Sequence, residues 1–338
     1  MSTDREKKAL SRADEIDTKD TTKDTTLARQ YGGIHAGGWV NLLPASWIPY
    51  VQLARLSPPA GVFLIYFPHV FGALHAANLL RLPANELAWN CATLLGGTFF
   101  FSNAAHAWND LIDAPVDAQI PRTKTRPIPR GAVSPLQALV FTGFQTVAAA
   151  AFLPLFPPET ALATVPSIVA TTYYPWAKLH TYFPQLVLGF WIAWGIVVGS
   201  AASGVTQPWS DVPVLCLVTV CILWTTIYDT IYAFQDVKDD VKIGVKSTAV
   251  LFKAHTKTLL WSLIVILGAC MLLYGNMMEM GVMYHVAAVG GGLSSLAAMV
   301  ANVELKNDAS CWWWFSCGFW VTGVTITVGL LAEYLVSY

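Results

Sequence analysis

Nine apolar segments, each about as long as a membrane-spanning helix, follow one another from about residue 58 onward. A bilayer is crossed by roughly 20 consecutive apolar residues in an α-helix. Only 12% of the residues are charged, whereas soluble domains carry about 25%. We therefore predict an all-α, polytopic membrane protein with nine transmembrane helices. They are expected at about 59–80, 86–108, 136–154, 160–177, 184–204, 212–235, 257–276, 281–301 and 312–335.

The positions of the basic residues support this count. Of the 20 Lys and Arg residues, all except Arg81 fall on one side of the predicted topology. Basic residues mark the cytoplasmic ends of membrane helices. We therefore expect the N-terminus and the long connections after helices 2 and 6 to lie in the cytoplasm.

Residues 1–45 are polar, and residues 1–30 hold seven acidic and seven basic side chains. This composition predicts a disordered tail, followed by a membrane domain over residues 46–338. The tail has no apolar signal sequence, and mitochondrial transit peptides are poor in acidic residues. The endoplasmic reticulum is therefore favoured over the mitochondrial inner membrane. The net charge of −1 gives no reason to expect nucleic-acid binding.

Two acidic blocks lie in the two long connections, 119 residues apart (Asp117 to Asp236). The first block places Asp110, Asp113 and Asp117 at i, i+3 and i+7, which is one face of a helix. Pro115 is expected to bend its last turn. The second block spaces Asp229, Asp236 and Asp240 at i, i+7 and i+11, which predicts one helix face again.

Stacked carboxylates at the end of a membrane helix repel one another and are costly to desolvate. Mg²⁺ is bound by carboxylate oxygens together with substrate phosphates. Two acidic faces across a cavity could therefore hold metal ions with a diphosphate between them. The alternative is a pair of solvated loops, or carboxylates neutralised by nearby Lys and Arg. Two blocks at the same membrane depth favour the metal site.

Basic and aromatic residues near these blocks are candidates for contacts with phosphate oxygens. Lys178 and Tyr174 close predicted helix 4, and Arg55 precedes helix 1, where it could hold an acceptor carboxylate. The alternative for each cation is a charge that only fixes topology. The residues flanking the blocks are Arg122, Lys124, Arg126 and Arg130 after the first, and Lys238, Lys242 and Lys246 after the second.

At these blocks the chain resembles the UbiA superfamily of intramembrane aromatic prenyltransferases, over about residues 50–338. The first motif, NDxxDxxxD, is matched by Asn109, Asp110, Asp113 and Asp117. The second, YDxxYAxxDxxDDxxxGxKS, is matched by Tyr228, Asp229, Tyr232, Ala233, Asp236, Asp239, Asp240, Gly244, Lys246 and Ser247. Arg122-Thr123, Arg126-Pro127, Tyr174-Pro175 with Lys178, and Pro184-Gln185 with Gly189 also agree with the 4-hydroxybenzoate branch.

The resemblance implies helices around a central cavity that opens to lipid, with a cytoplasmic active site that uses Mg²⁺. Its substrates would be an isoprenyl diphosphate and an aromatic acid, and no obligate protein partner is evident. The metal ligands it implies are Asn109, Asp113, Asp117, Asp236 and Asp240, with Asp110 as a further catalytic carboxylate. It implies diphosphate contacts from Tyr174, Lys178, Arg122, Arg126 and Lys242, and an acceptor contact from Arg55.

Two roles compete within this branch. One uses farnesyl diphosphate and an aromatic polyketide acid of orsellinic type, in fungal meroterpenoid biosynthesis. The other uses 4-hydroxybenzoate and a long polyprenyl chain, in ubiquinone biosynthesis. The acid-rich tail favours the first role. Leu179 does so as well, since it stands where the 4-hydroxybenzoate enzymes commonly carry a basic residue.

Two rivals from other classes fit the sequence less well. An ion-coupled transporter would carry its carboxylates near the middle of the membrane, whereas these lie at one end of the helices. A CDP-alcohol phosphotransferase would have one compact acidic block, not two.

Overall fold

The computed structural model describes residues 38–337, and within that range it contains helices and loops but no β-strand. The predicted all-α class is therefore confirmed. Nine long helical stretches make up most of the described chain. They are α1 (Ala60–Leu80), α2 (Ala84–Asp117), α3 (Pro135–Ala150), α4 (Pro158–His180), α5 (Pro184–Ala193, continuing as Gly195–Ala202), α6 (Val212–Ala233), α7 (Thr256–Met277), α8 (Tyr284–Gly291, continuing as Gly292–Asn302) and α9 (Asp308–Ser337). Shorter helices are Gly38–Leu42, Ile48–Leu53, Leu153–Leu155, Pro208–Ser210, Val237–Ile243, Thr248–Phe252 and Lys253–His255.

Seven of these stretches are long and apolar enough to cross a bilayer, so the chain is an integral membrane protein. The two that fall short of this test are α2 and α4. Each is long enough, with 34 and 23 residues, but each carries polar and charged residues toward the end that forms the site. Helix length and apolarity within the described residues therefore support seven spans and not the predicted nine.

Helices α1 and α5 approach each other closely because both present glycine at their crossing. A Cβ atom on Gly72 would lie 2.0 Å from the carbonyl oxygen of Ile196, and one on Gly199 would lie 2.1 Å from that of His69. Small residues allow such close approach between membrane helices. In an apolar 18-residue stretch of α1, 83% of the residues are buried, whereas in such a stretch of Pro135–Leu155, which contains α3, 11% are buried. The first helix therefore lies at the centre of the bundle, and α3 lies at its periphery.

The two acidic blocks differ from their predicted backbones. Helix α2 continues through Pro115 to Asp117, nine residues beyond the predicted end, so the first block lies on an unbroken helix. The prediction of one helix for the second block is wrong. Helix α6 ends at Ala233, and Asp236 is the N-cap of a separate helix, Val237–Ile243.

Most of the predicted N-terminal tail, residues 1–37, lies outside the described residues. Of the remainder, Gly38–Leu42 forms a short 3₁₀-helix. The helix Ile48–Leu53 then packs on α2, where Leu53 joins a small apolar cluster with Ala107 and Ile128. This contact brings Arg55 over the end of α2.

Candidate active site

Both acidic blocks line a single cavity of about 200 Å³, at the end of the bundle where α2 and α6 end. We call it the site cavity. Ten of the twelve predicted site residues line it. They are Arg55, Asn109, Asp113, Asp117, Arg122, Arg126, Tyr174, Lys178, Asp236 and Asp240. The structure therefore brings together residues from both halves of the chain, and the two exceptions are Asp110 and Lys242.

The first block presents an amide, a carboxylate and an ammonium group to the site cavity. The Asp113 carboxylate accepts a hydrogen bond from Asn109 Nδ2 at 3.0 Å, and Lys178 Nζ lies 2.6 Å from the same oxygen. Asn109 Oδ1 is buried and has no hydrogen-bond partner among the residues that the structure describes. Buried polar oxygens normally have a partner, so this acceptor is suited to a cation or a donor on a ligand.

Asp110 differs from its neighbours because it does not line the cavity. Its side chain is 0% exposed. One of its oxygens lies 2.6 Å from Arg55 Nη2 and 3.2 Å from Arg126 Nη1. Asp110 therefore lies behind the cavity wall, paired with two arginines that line the cavity, and its catalytic role stays a prediction.

Arg126 and Asp117 form a second buried pair. Arg126 Nη1 lies 2.8 Å from Asp117 Oδ2, and both side chains are less than 10% exposed. The loop after α2 is held back against the helix by Thr123, whose hydroxyl donates to the carbonyl of Asp117 at 3.0 Å. These contacts fold the basic loop over the site cavity.

Arg122 connects the two halves of the site. Its Nε donates to Asp236 Oδ1 at 2.8 Å, its Nη1 donates to the Tyr232 hydroxyl at 2.7 Å, and its guanidinium lies 4.9 Å from the Tyr232 ring centroid. Burial works to lower the pKa of Arg122, but Asp236 and Tyr232 outweigh it and hold that pKa well above its ordinary value. The pKa of Asp236 is lowered in turn, because Arg122 outweighs the opposing effect of burial.

Asp240 is buried and has no ion pair within 4 Å among the described residues. Burial, and then the neighbouring charge of Asp236, raise its pKa to about 7. A carboxylate in this state is stabilised in its charged form by an added cation. The electrostatics at Asp240 therefore favour cation binding.

The lysines after the second block separate into two environments. The Lys242 side chain is 71% exposed and pairs with Asp239 at 2.7 Å on the surface, outside the cavity. Lys246 lines the cavity instead, and its backbone N–H donates to the carbonyl of Lys178 at 2.8 Å. In this structure Lys246 lines the site cavity and Lys242 does not, and the contact from Lys242 stays a prediction.

Three further lining residues were not among the predicted site residues: Asp229, Tyr232 and Gln185. Asp229 lies on the last turns of α6, seven residues before Asp236, next to the Gln185 side chain. Its place in the second acidic block was visible in the sequence. That its carboxylate faces the cavity depends on how α5 and α6 pack, which the sequence pattern does not specify.

The donor set fits a hard divalent cation. The acidic and amide side chains that face the cavity offer oxygen atoms, the ligands that Mg²⁺ prefers. Asn109 Oδ1 is an orphaned acceptor, and Asp240 lacks an ion pair. No three His, Cys, Asp or Glu side chains are clustered closely enough to hold an ion by themselves in the part of the chain that the structure describes.

This fold and site define an intramembrane enzyme. The UbiA prenyltransferase family pattern matches residues 65–323. The chain is 35% identical to prenyltransferase stbC of Stachybotrys bisbyi, over 90% of this chain and 91% of that protein. It is 33% identical to the mitochondrial 4-hydroxybenzoate polyprenyltransferase of Saccharomyces cerevisiae, over 93% of this chain and 84% of that protein. The chain therefore belongs to the UbiA prenyltransferase family, and it is a prenyltransferase.

Solved structures of the family share the fold. A UbiA homologue from Archaeoglobus fulgidus bound to DMAPP and Mg²⁺ superposes with a TM-score of 0.63 at 14% identity, covering 85% of this chain and 99% of that chain. A UbiA homologue from Aeropyrum pernix K1 gives a TM-score of 0.62 at 20% identity, covering 81% and 97%.

Proposed function

We propose that this protein transfers a farnesyl group from its diphosphate to a ring carbon of a phenolic acid of polyketide origin, with Mg²⁺ as the cofactor. One observation carries the proposal: two acidic blocks from distant parts of the chain line one cavity with five cations, at one end of an apolar bundle. That the family uses divalent metals with isoprenyl diphosphates is known from its Mg²⁺-bound homologues.

The metal would be held from both sides of the site cavity, by Asn109, Asp113 and Asp117 from α2 and by Asp236 and Asp240 from the second block. When bound, Mg²⁺ neutralises charge on the diphosphate leaving group and lowers the barrier to C–O cleavage. Diphosphate oxygens would complete its coordination.

The cations of the cavity bind the diphosphate in this proposal. Lys178 and Arg122 are paired with Asp113 and Asp236, which are two of the proposed metal ligands. Both cations lie beside the proposed metal ligands and would contact phosphate oxygens, Arg122 as a fork and Lys178 as a point charge. Lys246 and the Tyr174 hydroxyl contribute from the same wall.

Prenylation of the acceptor's aromatic ring needs a water-poor environment, which the apolar part of the site cavity provides. Leu64, Ile65 and Trp191 line this part of the cavity and exclude water, which would quench an allylic cation. The C–O bond to diphosphate breaks first, and a carbon of the phenol ring then attacks the first prenyl carbon. We propose that the ring proton then passes to Asp229, which lies on α6 and faces the cavity.

Arg55 is proposed to hold the carboxylate of the acceptor. Its side chain is 10% exposed, lines the cavity and is fixed by Asp110. Its backbone adopts a left-handed conformation, with φ of +54°. Non-glycine residues in that region cost of order 1 kcal/mol or more, so the Asp110 pair and the packing of Ile48–Leu53 are needed to keep it there.

We further propose that all nine long helices span the membrane, with the site at the cytoplasmic face of the endoplasmic reticulum. All Lys and Arg residues but Arg81 fall on that side. Leu179 supports a polyketide-derived acceptor, and the chain is 35% identical to each of the fungal prenyltransferases stbC and ascA. The yeast relative at 33% identity supports the second candidate, 4-hydroxybenzoate with a polyprenyl chain.

A microsomal assay tests this function. Geranyl, farnesyl and longer diphosphates are each offered with orsellinic-type acids and with 4-hydroxybenzoate, and the products are identified by mass spectrometry. We expect a C-farnesylated orsellinic-type product that EDTA abolishes and Mg²⁺ restores. Activity that is indifferent to chelation would contradict the metal mechanism. Turnover of 4-hydroxybenzoate alone would favour the second candidate.

A further inference from the structure

A second cavity, of about 310 Å³, lies between α2, α3 and α4 and is not explained by the site described above. We call it the side cavity. It meets the site cavity at Ala105 and Thr171, which line both. None of the described residues that line it is Asp, Glu, Lys or Arg. Its chemistry is therefore suited to a hydrocarbon and not to an anionic acceptor.

The polar atoms in the side cavity are mostly satisfied within the protein. The hydroxyls of Thr142, Thr146 and Thr172 donate to carbonyls of their own helices, and Ser167 donates to the carbonyl of Trp191. Two hydroxyls, of Thr98 and Thr160, have no hydrogen-bond partner. The walls between them are apolar and aromatic, as expected for a site that takes an apolar chain.

The side cavity runs along α2 away from the charged rim, from Ala105 at the junction to Gly97 beside Phe152. Eight residues of α-helix rise about 12 Å. An isoprene unit in an extended chain adds four carbon–carbon bonds, or about 5 Å, on ordinary covalent geometry. The side cavity therefore holds about two isoprene units beyond the first one, which lies in the site cavity with the diphosphate.

Phe152 closes the far end. It follows α3, and its ring lies in a notch that Gly96 and Gly97 leave on α2. A Cβ on Gly96 would lie 2.4 Å from Phe152 Cε1. Phe156 and Leu153 complete this end wall. Helices α3 and α4 make few contacts with each other, and an entry for an apolar chain from the bilayer is proposed to lie between them.

We propose that the side cavity binds the isoprenyl chain of the diphosphate substrate and that Phe152 limits this chain to about three isoprene units. The inference rests on the proposed function, because the diphosphate in the site cavity fixes the start of the chain. A longer chain meets the Phe152 ring and must bend out between α3 and α4.

Two substitutions of opposite effect test the length limit. Phe152→Ala should raise the kcat/KM ratio of geranylgeranyl to farnesyl diphosphate about tenfold, since the gain or loss of a small apolar contact changes selectivity by 10-fold or more. Gly97→Leu should raise the ratio of geranyl to farnesyl diphosphate by about the same factor. A Cβ at position 97 would lie 3.5 Å from Phe152 Cβ, which is ordinary contact, so the backbone of α2 accepts a side chain there.

Phe144→Ala is the matched control, because Phe144 lies on α3 and is 70% exposed. Its ratios should equal those of the wild type. Unchanged ratios in both test variants would overturn the proposal. A loss of folding would lower all rates together and would not move the two ratios in opposite directions.

Photolabelling provides a readout that does not need turnover. A farnesyl diphosphate analogue with a diazirine in its last unit should label peptides that contain residues 94–101 and 149–156 of the wild-type enzyme. Labelling confined to α1 or α9 would overturn the proposal, even if both variants were inactive. Labelling at the side cavity without transfer to any aromatic acid would support the chain site and contradict the proposed acceptor.

Discussion

The two acidic blocks bring the same kind of side chain to one cavity on different backbones. The first block uses the periodicity of an unbroken helix, so Asp113 and Asp117 share a face of α2 with Asn109. In the second block, helix α6 ends at Ala233, the chain turns, and a separate helix begins after its N-cap residue, Asp236. A spacing that fits one face of a helix can therefore be met by a continuous helix in one half of a site and by a helix, a turn and a second helix in the other.

The blocks also differ in how their charges are compensated. All three aspartates of the first block are paired with Arg or Lys within the described chain. In the second block only Asp236 has such a partner among the cavity-lining carboxylates, and that partner, Arg122, comes from the loop after the first block. Asp240 and Asp229 are left to hydrogen bonds and long-range charges. The second block therefore has more to gain from a bound cation.

The largest expected effect is loss of a metal-facing carboxylate from either block. Asp113→Ala and Asp236→Ala should each lower prenyl transfer by about 10³-fold or more, as expected when electrostatic stabilisation of a leaving group is removed. Microsomal assays, with membrane insertion checked by carbonate extraction, measure this. Asp239→Ala, beside Lys242 on the surface, is the control and should stay near wild type. Full activity in either test variant would show that the two blocks do not contribute equally to prenyl transfer.

Asp229→Asn tests the residue that distinguishes the second block. It should lower kcat by about 10²-fold, a typical loss for general-base catalysis. A ring-deuterated acceptor should show a primary isotope effect with this variant, because proton removal becomes slow. The wild type should show an isotope effect near one, since C–O cleavage limits its rate. An unchanged rate without an isotope effect would remove Asp229 from the mechanism.

Arg55→Ala tests whether the first block supports acceptor binding through the pair between Asp110 and Arg55. It should raise the KM of the aromatic acid about tenfold or more, the cost of a charge-assisted hydrogen bond, with a smaller change for the diphosphate. Arg55→Lys should recover part of the loss, because it keeps the charge against Asp110. Equal effects on both substrates would show that Arg55 does not select the acceptor.

The smallest expected effect separates two lysines of the second block. Lys246→Ala should raise the KM of the prenyl diphosphate a few-fold, as for a partly exposed ion pair. Lys242→Ala should leave it unchanged, because that side chain is exposed and paired with Asp239. Steady-state kinetics at fixed acceptor measure both. A larger rise in this KM for Lys242→Ala than for Lys246→Ala would contradict the positions of the two side chains in this structure.

The sequence predicts much of this molecule because bilayer length and apolarity act locally. The nine helical segments lie near their expected positions, and both acidic blocks meet at one cavity. What it misses depends on tertiary packing. Asp110 and Asp113 are the same residue type three positions apart, yet Asp110 is buried against Arg55 and Asp113 faces the cavity. Lys242 and Lys246 also differ, because Lys242 is exposed on the surface and Lys246 lines the cavity. The side cavity depends on how α2, α3 and α4 pack together, which no local sequence pattern predicts.

The central claim is that both blocks hold the diphosphate jointly through divalent ions. Calorimetric binding of farnesyl thiodiphosphate, a poorly ionising analogue, to the purified protein tests it most directly. We expect the wild-type protein to bind farnesyl thiodiphosphate tightly with Mg²⁺ and weakly in EDTA. Asp113→Asn and Asp236→Asn should each lose affinity for the analogue by a similar factor. Equal affinity with and without Mg²⁺, or wild-type affinity in either variant, would contradict it.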